Sequence, residues 1–264
     1  MPLTADHQLL IAAVAMVAMM AALWLVQRKT GNAGIVDVGW AAGIGVLALF
    51  YAVTSSGYLP RRMLVAALAG FWSLRLASYL LFTRVWGHPE EGRYVALRAK
   101  WGARADVRLF LFFQLQALAV LLFALPLLIV AQRSGLSLDV WDLVGVLVWL
   151  IGVGGTWLAD RQLTQFKQRP GSRGKTCQEG LWRYSRHPNY FFEWVHWWAY
   201  VAMAAGSASW WATLVVPAVL LFFFFKVTGI PPTEAQALAS RLDYREYQRT
   251  TSVFVPWFPR KGGP

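Results

Sequence analysis

Across 264 residues the chain is 57% hydrophobic, carries fifteen tryptophans and has a formal net charge of +12 at pH 7. That profile excludes an ordinary soluble domain and places the chain among bilayer proteins. A single cysteine, the loop thiol Cys177, excludes a disulfide framework and a cysteine-based metal site.

Crossing the hydrocarbon takes about 20 apolar residues, and stretches of that kind lie at 9–26, 35–53, 63–82, 109–130, 140–158, 190–205 and 210–227. The expectation is an all-α polytopic membrane protein, a bundle of seven transmembrane helices forming one domain over 1–264. Alternate connecting segments carry 3 and 20 Lys and Arg, with only Arg75 and Lys226 inside spans. By the positive-inside rule the N-terminus is outside and the C-terminus cytoplasmic, in the cell inner membrane. The charge therefore has a topological origin, and nucleic acid is not needed as a partner. No Lys or Arg precedes the first span, and Arg28 and Lys29 follow it, so it is expected to stay as an anchor.

At the start of the second span Asp37 and Trp40 share a face, which makes Asp37 a candidate hydrogen-bond donor or a counter-ion for Arg75. Residues 43–48, "GIGVLA", spell a dinucleotide fingerprint, but in mid-helix they expose no backbone N–H to a pyrophosphate. They are assigned to helix packing, as are Gly152, Gly154 and Gly155. In the third span Trp72, Arg75 and Tyr79 fall at i, i+3, i+7, with Arg84 just beyond. A charge inside such a helix costs at least about 2.5 kcal/mol, so Arg75 needs a partner or a task. The loop that follows holds "EEGRYVALRAKWG", with Tyr94 and Arg98.

The fifth span ends in "LADRQLTQFKQRPGSRGK", where Asp160, Arg161, Gln165, Lys167, Arg173 and Lys175 suit a diphosphate and a ribose phosphate. The sixth begins in "YSRHPNYFFEW", from Tyr184 to Trp194. Its Pro188 fits a first helical turn, and Arg183, Arg186 and His187 add positive charge to N–H groups that favour an anion. Asn189, Glu193, His196 and Tyr200 follow i, i+4, i+7, i+11 and form one stripe. Together these residues describe a cofactor slot; the alternative is that Glu193 pairs with Arg75 and the cations only enforce topology. The tail reads as an amphipathic cytoplasmic helix over 234–249, then an aromatic, proline-containing end suited to the interface.

This order of elements resembles the steroid 5-alpha-reductase family, in particular its bacterial membrane branch. The wider superfamily also holds sterol reductases and the isoprenylcysteine and phospholipid methyltransferases. The likeness rests on the Asp160 loop, "GLWRYSRHPNYFFEW" and "DYREYQR" with "VPWFP", and more weakly on Asp37 and the Arg75–Tyr79–Arg84 run. It implies seven helices around NADPH, which enters from the cytoplasm, and an apolar enone such as a 3-oxo-4-ene steroid arriving from the lipid bilayer. Hydride would pass to the beta carbon while an acid group polarises the ketone. Asn189 and Glu193 match the family's nicotinamide-facing pair, Asp160 its adenosine-side acid, and Arg75, Lys167 and Lys175 cofactor-associated positions.

Arg84, Arg98, Arg173, Tyr184 and Asp243 complete the expected cofactor set, beside Arg183, Arg186 and His187. Asp37 falls where the family has a carbonyl-binding Glu, and Trp72 falls where it has a tyrosine. Tyr79 and Tyr94 are therefore the candidate hydroxyls, with Trp40 and Trp72 facing substrate. The expected state is a monomer with no bound metal. The competing reading is an S-adenosylmethionine-dependent membrane methyltransferase acting on an isoprenoid or lipid, whose cofactor has no phosphate for the loop cations to hold. A transporter or heptahelical receptor is a further class, but no paired short helices suggest inverted repeats.

Overall fold

The computed structural model describes residues 2–260, and these are helical with no strand. Ten α-helices follow in order: α1 (Ala5–Thr30), α2 (Ile35–Thr54), α3 (Leu59–Leu80), α4 (Gly92–Trp101), α5 (Ala105–Gln132), α6 (Val140–Gln168), α7 (Pro188–Met203), α8 (Val215–Lys226), α9 (Ile230–Ser240) and α10 (Tyr244–Thr250). A π-helical turn, Leu81–Val85, prolongs α3.

Six helical segments among the described residues are long and apolar enough to cross a membrane. They are Ala5–Thr30, Ile35–Thr54, Leu59–Val85, Gly92–Gln132, Val140–Gln168 and Trp210–Ser240. The expected span at 190–205 is α7, whose 16 residues rise only about 24 Å at 1.5 Å each. The described residues group into two compact units. Unit 1 runs to Asp139 and includes Ala204–Thr213; unit 2 comprises Val140–Met203 and the residues from Leu214 on.

In unit 1, α1 is capped at both ends. Thr4 Oγ1 accepts the His7 N–H, and Gly31, left-handed at φ 71°, returns its N–H to Gln27. Small residues let α2 approach its neighbours. The Ser73 hydroxyl of α3 donates to the Ala41 carbonyl at 2.6 Å, and a Cβ at Gly45 would stand 2.3 Å from the Ser73 hydroxyl oxygen. Gly43 likewise faces Met16, Met19 and Val120. The "GIGVLA" stretch is thus a packing surface. Trp40 meets both Trp72 and Phe123 edge to face, at 6.0 and 5.2 Å between ring centres.

In unit 2, Gly145, Gly152 and Gly155 of α6 face Met203, His196 and Phe192 of α7, so the two helices run antiparallel. A Cβ at Gly152 would lie 2.5 Å from the His196 nitrogen, and one at Gly155 would lie 2.3 Å from the Phe192 ring. Gly154 departs from its expected packing role: nothing lies within 4 Å of a Cβ there. The 100° step of a helix turns it away from the stripe that Gly152 and Gly155 share.

The single helix expected over 234–249 is two helices, α9 and α10. Arg241 is extended at φ −138°, ψ 120°, and Asp243 accepts from the Thr176 N–H at 3.0 Å and the Thr176 hydroxyl at 2.6 Å. That tertiary demand breaks the helix. Ala237, Tyr244 and Tyr247 then pack as a small buried cluster, and the Tyr247 hydroxyl donates to the carbonyls of Trp182 and Ser185.

Candidate functional site

Unit 1 gathers a charged knot at the starts of α2 and α4. Arg93 pairs with Asp37, and the Tyr94 hydroxyl donates to the same carboxylate at 2.9 Å. Glu91 bridges Arg93 at 2.9 Å and Arg84 at 3.1 Å. Tyr94 is 1% exposed, whereas the side chains of Asp37 and Arg93 keep 24% and 49% of their surface. The knot is therefore anchored on a buried phenol and open on its charged side.

Local hydrogen bonds fix this geometry. The Ala33 N–H donates to Glu90 at 2.7 Å, the Gly34 N–H donates to Asn32 Oδ1 at 2.9 Å, and Asn32 Nδ2 donates to the His88 carbonyl at 3.3 Å. Arg98 holds Glu90 at 2.9 Å and Gln27 at 2.6 Å. Arg98 thus ties the loop before α4 to the end of α1. Arg93, absent from the expected site, provides the cation that Arg75 was expected to offer Asp37. Arg75 Nε is buried without a hydrogen-bond partner among the described residues. Of the two candidate tyrosines, Tyr94 reaches Asp37. Tyr79 is 51% exposed, and its carbonyl accepts the Thr83 hydroxyl.

In unit 2 the expected stripe of α7 packs along α6. Asn189 Nδ2 donates to Asp160 Oδ1 at 3.2 Å. Glu193 Oε1 lies 3.6 Å from His196 Nδ1, and His196 Nε2 lies 3.2 Å from the Tyr200 hydroxyl. His196 and Tyr200 are wholly buried. The result is a polar ladder inside an otherwise apolar helix pair, with Asp160 at its loop end.

Beyond that end, Lys167, Arg173 and Lys175 line a cavity of about 320 Å³, joined by Arg241. The sequence reading grouped the first three; Arg241 was missed. Among the described residues no carboxylate lines the cavity. Cys177 contributes an inert wall, because burial pushes its thiol up. Asp243 shapes the loop from behind. Burial opposes its charge, yet the two Thr176 hydrogen bonds hold its carboxyl below the ordinary value.

The cations at the start of α7 serve the tail. Arg186 pairs with Glu234 at 2.7 Å and donates to the carbonyls of Gln248 and Thr251 at 2.9 and 2.7 Å. His187 lies 3.2 Å from the same Glu234 oxygen, and Gln248 Nε2 donates to the other at 2.7 Å. Glu234, which the sequence reading also missed, therefore engages Arg186 and His187, two of the three groups that were expected to face phosphate. Arg183 is exposed, and Tyr184 packs edge to face on Phe258 at 6.0 Å.

Comparison with curated proteins gave no match, and comparison with solved structures gave none. One family, described as "Protein of unknown function (DUF1295)", matches residues 23–251, from within α1 to just past α10. That range takes in both the Asp37 knot and the α6–α7 ladder, and the chain belongs to the DUF1295 family.

Proposed function

We propose that the protein is a membrane-embedded, NADPH-dependent reductase that saturates the carbon–carbon double bond of a conjugated ketone on a flat apolar substrate, such as a 3-oxo-4-ene steroid. The observation that carries this reading is the polar ladder of Asp160, Asn189, Glu193, His196 and Tyr200, together with a cavity lined by four cations, whose Leu163, Phe166 and Lys167 lie further along α6. Lys167, Arg173, Lys175 and Arg241 suit a diphosphate and a ribose phosphate, while Asp160 suits ribose hydroxyls. NADPH would supply the hydride. Asn189 and Glu193 bear amide and carboxylate groups complementary to a carboxamide.

The acid role falls to Tyr94. In the arrangement observed its hydroxyl donates to Asp37; with Asp37 protonated the direction of that bond reverses, which leaves the phenolic hydrogen for the ketone oxygen. Arg93 adds positive charge beside both groups, favouring the negative charge that develops on an enolate. Trp40 contributes flat apolar surface, backed edge to face by the fully buried Trp72. We take α7 as a seventh crossing, because only an odd number preserves the 3-to-20 sorting of Lys and Arg. The well-populated side then faces the cytoplasm of a cell inner membrane, with the protein acting as a monomer.

The test is turnover by the purified full chain in nanodiscs with a 3-oxo-4-ene steroid. The expected result is substrate-dependent consumption of NADPH and a product heavier by two hydrogens. Methyl transfer from S-adenosylmethionine, with NADPH untouched, would instead establish the methyltransferase alternative.

A further inference from the structure

We propose that the C-terminal tail of unit 2 carries a docking site for the phosphate headgroup of an anionic phospholipid, whatever reaction the protein catalyses. The tail after α10 is held in one shape by backbone contacts. The Arg186 N–H donates to the Ser252 carbonyl at 2.8 Å, the Trp257 N–H to the Tyr184 carbonyl at 2.9 Å, and the Arg260 N–H to the Thr250 carbonyl at 2.8 Å. The Ser185 hydroxyl donates to the Phe254 carbonyl at 2.7 Å. Phe254 is buried against Phe191, Trp194 and Phe225, which leaves the other side of the tail outward.

On that outward side Val255, Trp257 and Phe258 are 53%, 70% and 77% exposed. Beside them lies a cavity of about 500 Å³ lined by Arg186, Arg249, Arg260 and the hydroxyl residues Thr250 and Ser252, with no carboxylate among the described residues of its wall. Glu234 neutralises Arg186 and Glu246 neutralises Arg249. Arg260 enters no ion pair among the described residues. A cation on a pinned backbone, next to a rim of exposed tryptophan and phenylalanine, matches the layered chemistry of a lipid interface, with phosphate at headgroup level and acyl chain just below. A soluble anion would engage the arginines and leave the apolar rim without a partner, so the occupant is a lipid.

Native mass spectrometry of the full chain, offered equal amounts of phosphatidylglycerol and phosphatidylcholine with the same acyl chains, tests this site. The wild-type protein should retain phosphatidylglycerol in excess. One surface arginine is worth about a fivefold change in binding to anionic lipid, so Arg260→Gln should lower retained phosphatidylglycerol by about that factor. Arg260→Lys should restore it. Trp257→Ser with Phe258→Ser should reduce retention of both lipids. Because the Arg260 side chain engages no carboxylate, Arg260→Gln should leave the fold intact. The proposal is overturned by equal retention of the two lipids, by wild-type retention in Arg260→Gln, or by inorganic phosphate stripping the bound lipid.

Discussion

In unit 1 the polar chemistry sits at helix ends and is half open, whereas in unit 2 it runs along a helix interface closed by glycine. Arg84, Glu91, Arg93 and Asp37 neutralise one another in sequence, and exposed pairs of this kind contribute about 0–1 kcal/mol each. Such a knot can exchange partners cheaply. The α6–α7 ladder cannot, because Gly152 and Gly155 bring the helices so close that a single added carbon would collide. In the proposed reductase the first region would shift protons and charge, and the second would hold a ligand in place.

The sharpest way to break this contrast is Tyr94→Phe. It removes only the phenolic hydroxyl, and a general acid contributes about 10²–10⁴-fold to rate, so turnover should fall by that factor while cofactor affinity stays put. Equal losses in both would show that Tyr94 belongs to the holding machinery. Glu234→Ala comes next. It strips the partner from Arg186, whose side chain is 11% exposed, and breaking such a pair costs about 3–5 kcal/mol. Thermal unfolding in detergent should shift downward accordingly, and an unchanged midpoint would contradict the tail-clamp role. Smaller still is a matched pair on α6. Gly152→Ala should destabilise by about 1–3 kcal/mol through overpacking, while Gly154→Ala, with open space around it, should be neutral or stabilise by up to about 1 kcal/mol. Similar effects of the two would mean that α6 and α7 are not so closely apposed.

The same contrast explains what the sequence could disclose. The stripe of Asn189, Glu193, His196 and Tyr200 was legible because a helix places those spacings on one face whatever surrounds it. Gly152 and Gly155 against Gly154 was legible in principle by the same rule. Asp37 with Arg93 was not, since the pair joins element ends far apart in the chain, and no periodicity relates them. Glu234 with Arg186 has the same character. The break between α9 and α10 was hidden because 241–243 bears no proline or glycine; Asp243 leaves helical register to reach Thr176. Membrane character followed from composition alone. The count of crossings did not, because α7 is apolar enough to suggest a span yet only 16 residues long.

The proposed reductase activity turns on whether the ladder and basic cavity of unit 2 bind a phosphorylated redox carrier. The direct measurement is an equilibrium titration of the purified full chain with NADPH and, separately, with S-adenosylmethionine. The account predicts one NADPH per chain and no uptake of S-adenosylmethionine. Losing one charge-assisted contact costs about 1.5–3 kcal/mol, so Lys175→Gln should weaken NADPH binding at least about tenfold, and Glu193→Gln should also reduce it. Failure to bind NADPH, or wild-type affinity in Lys175→Gln, would contradict the account.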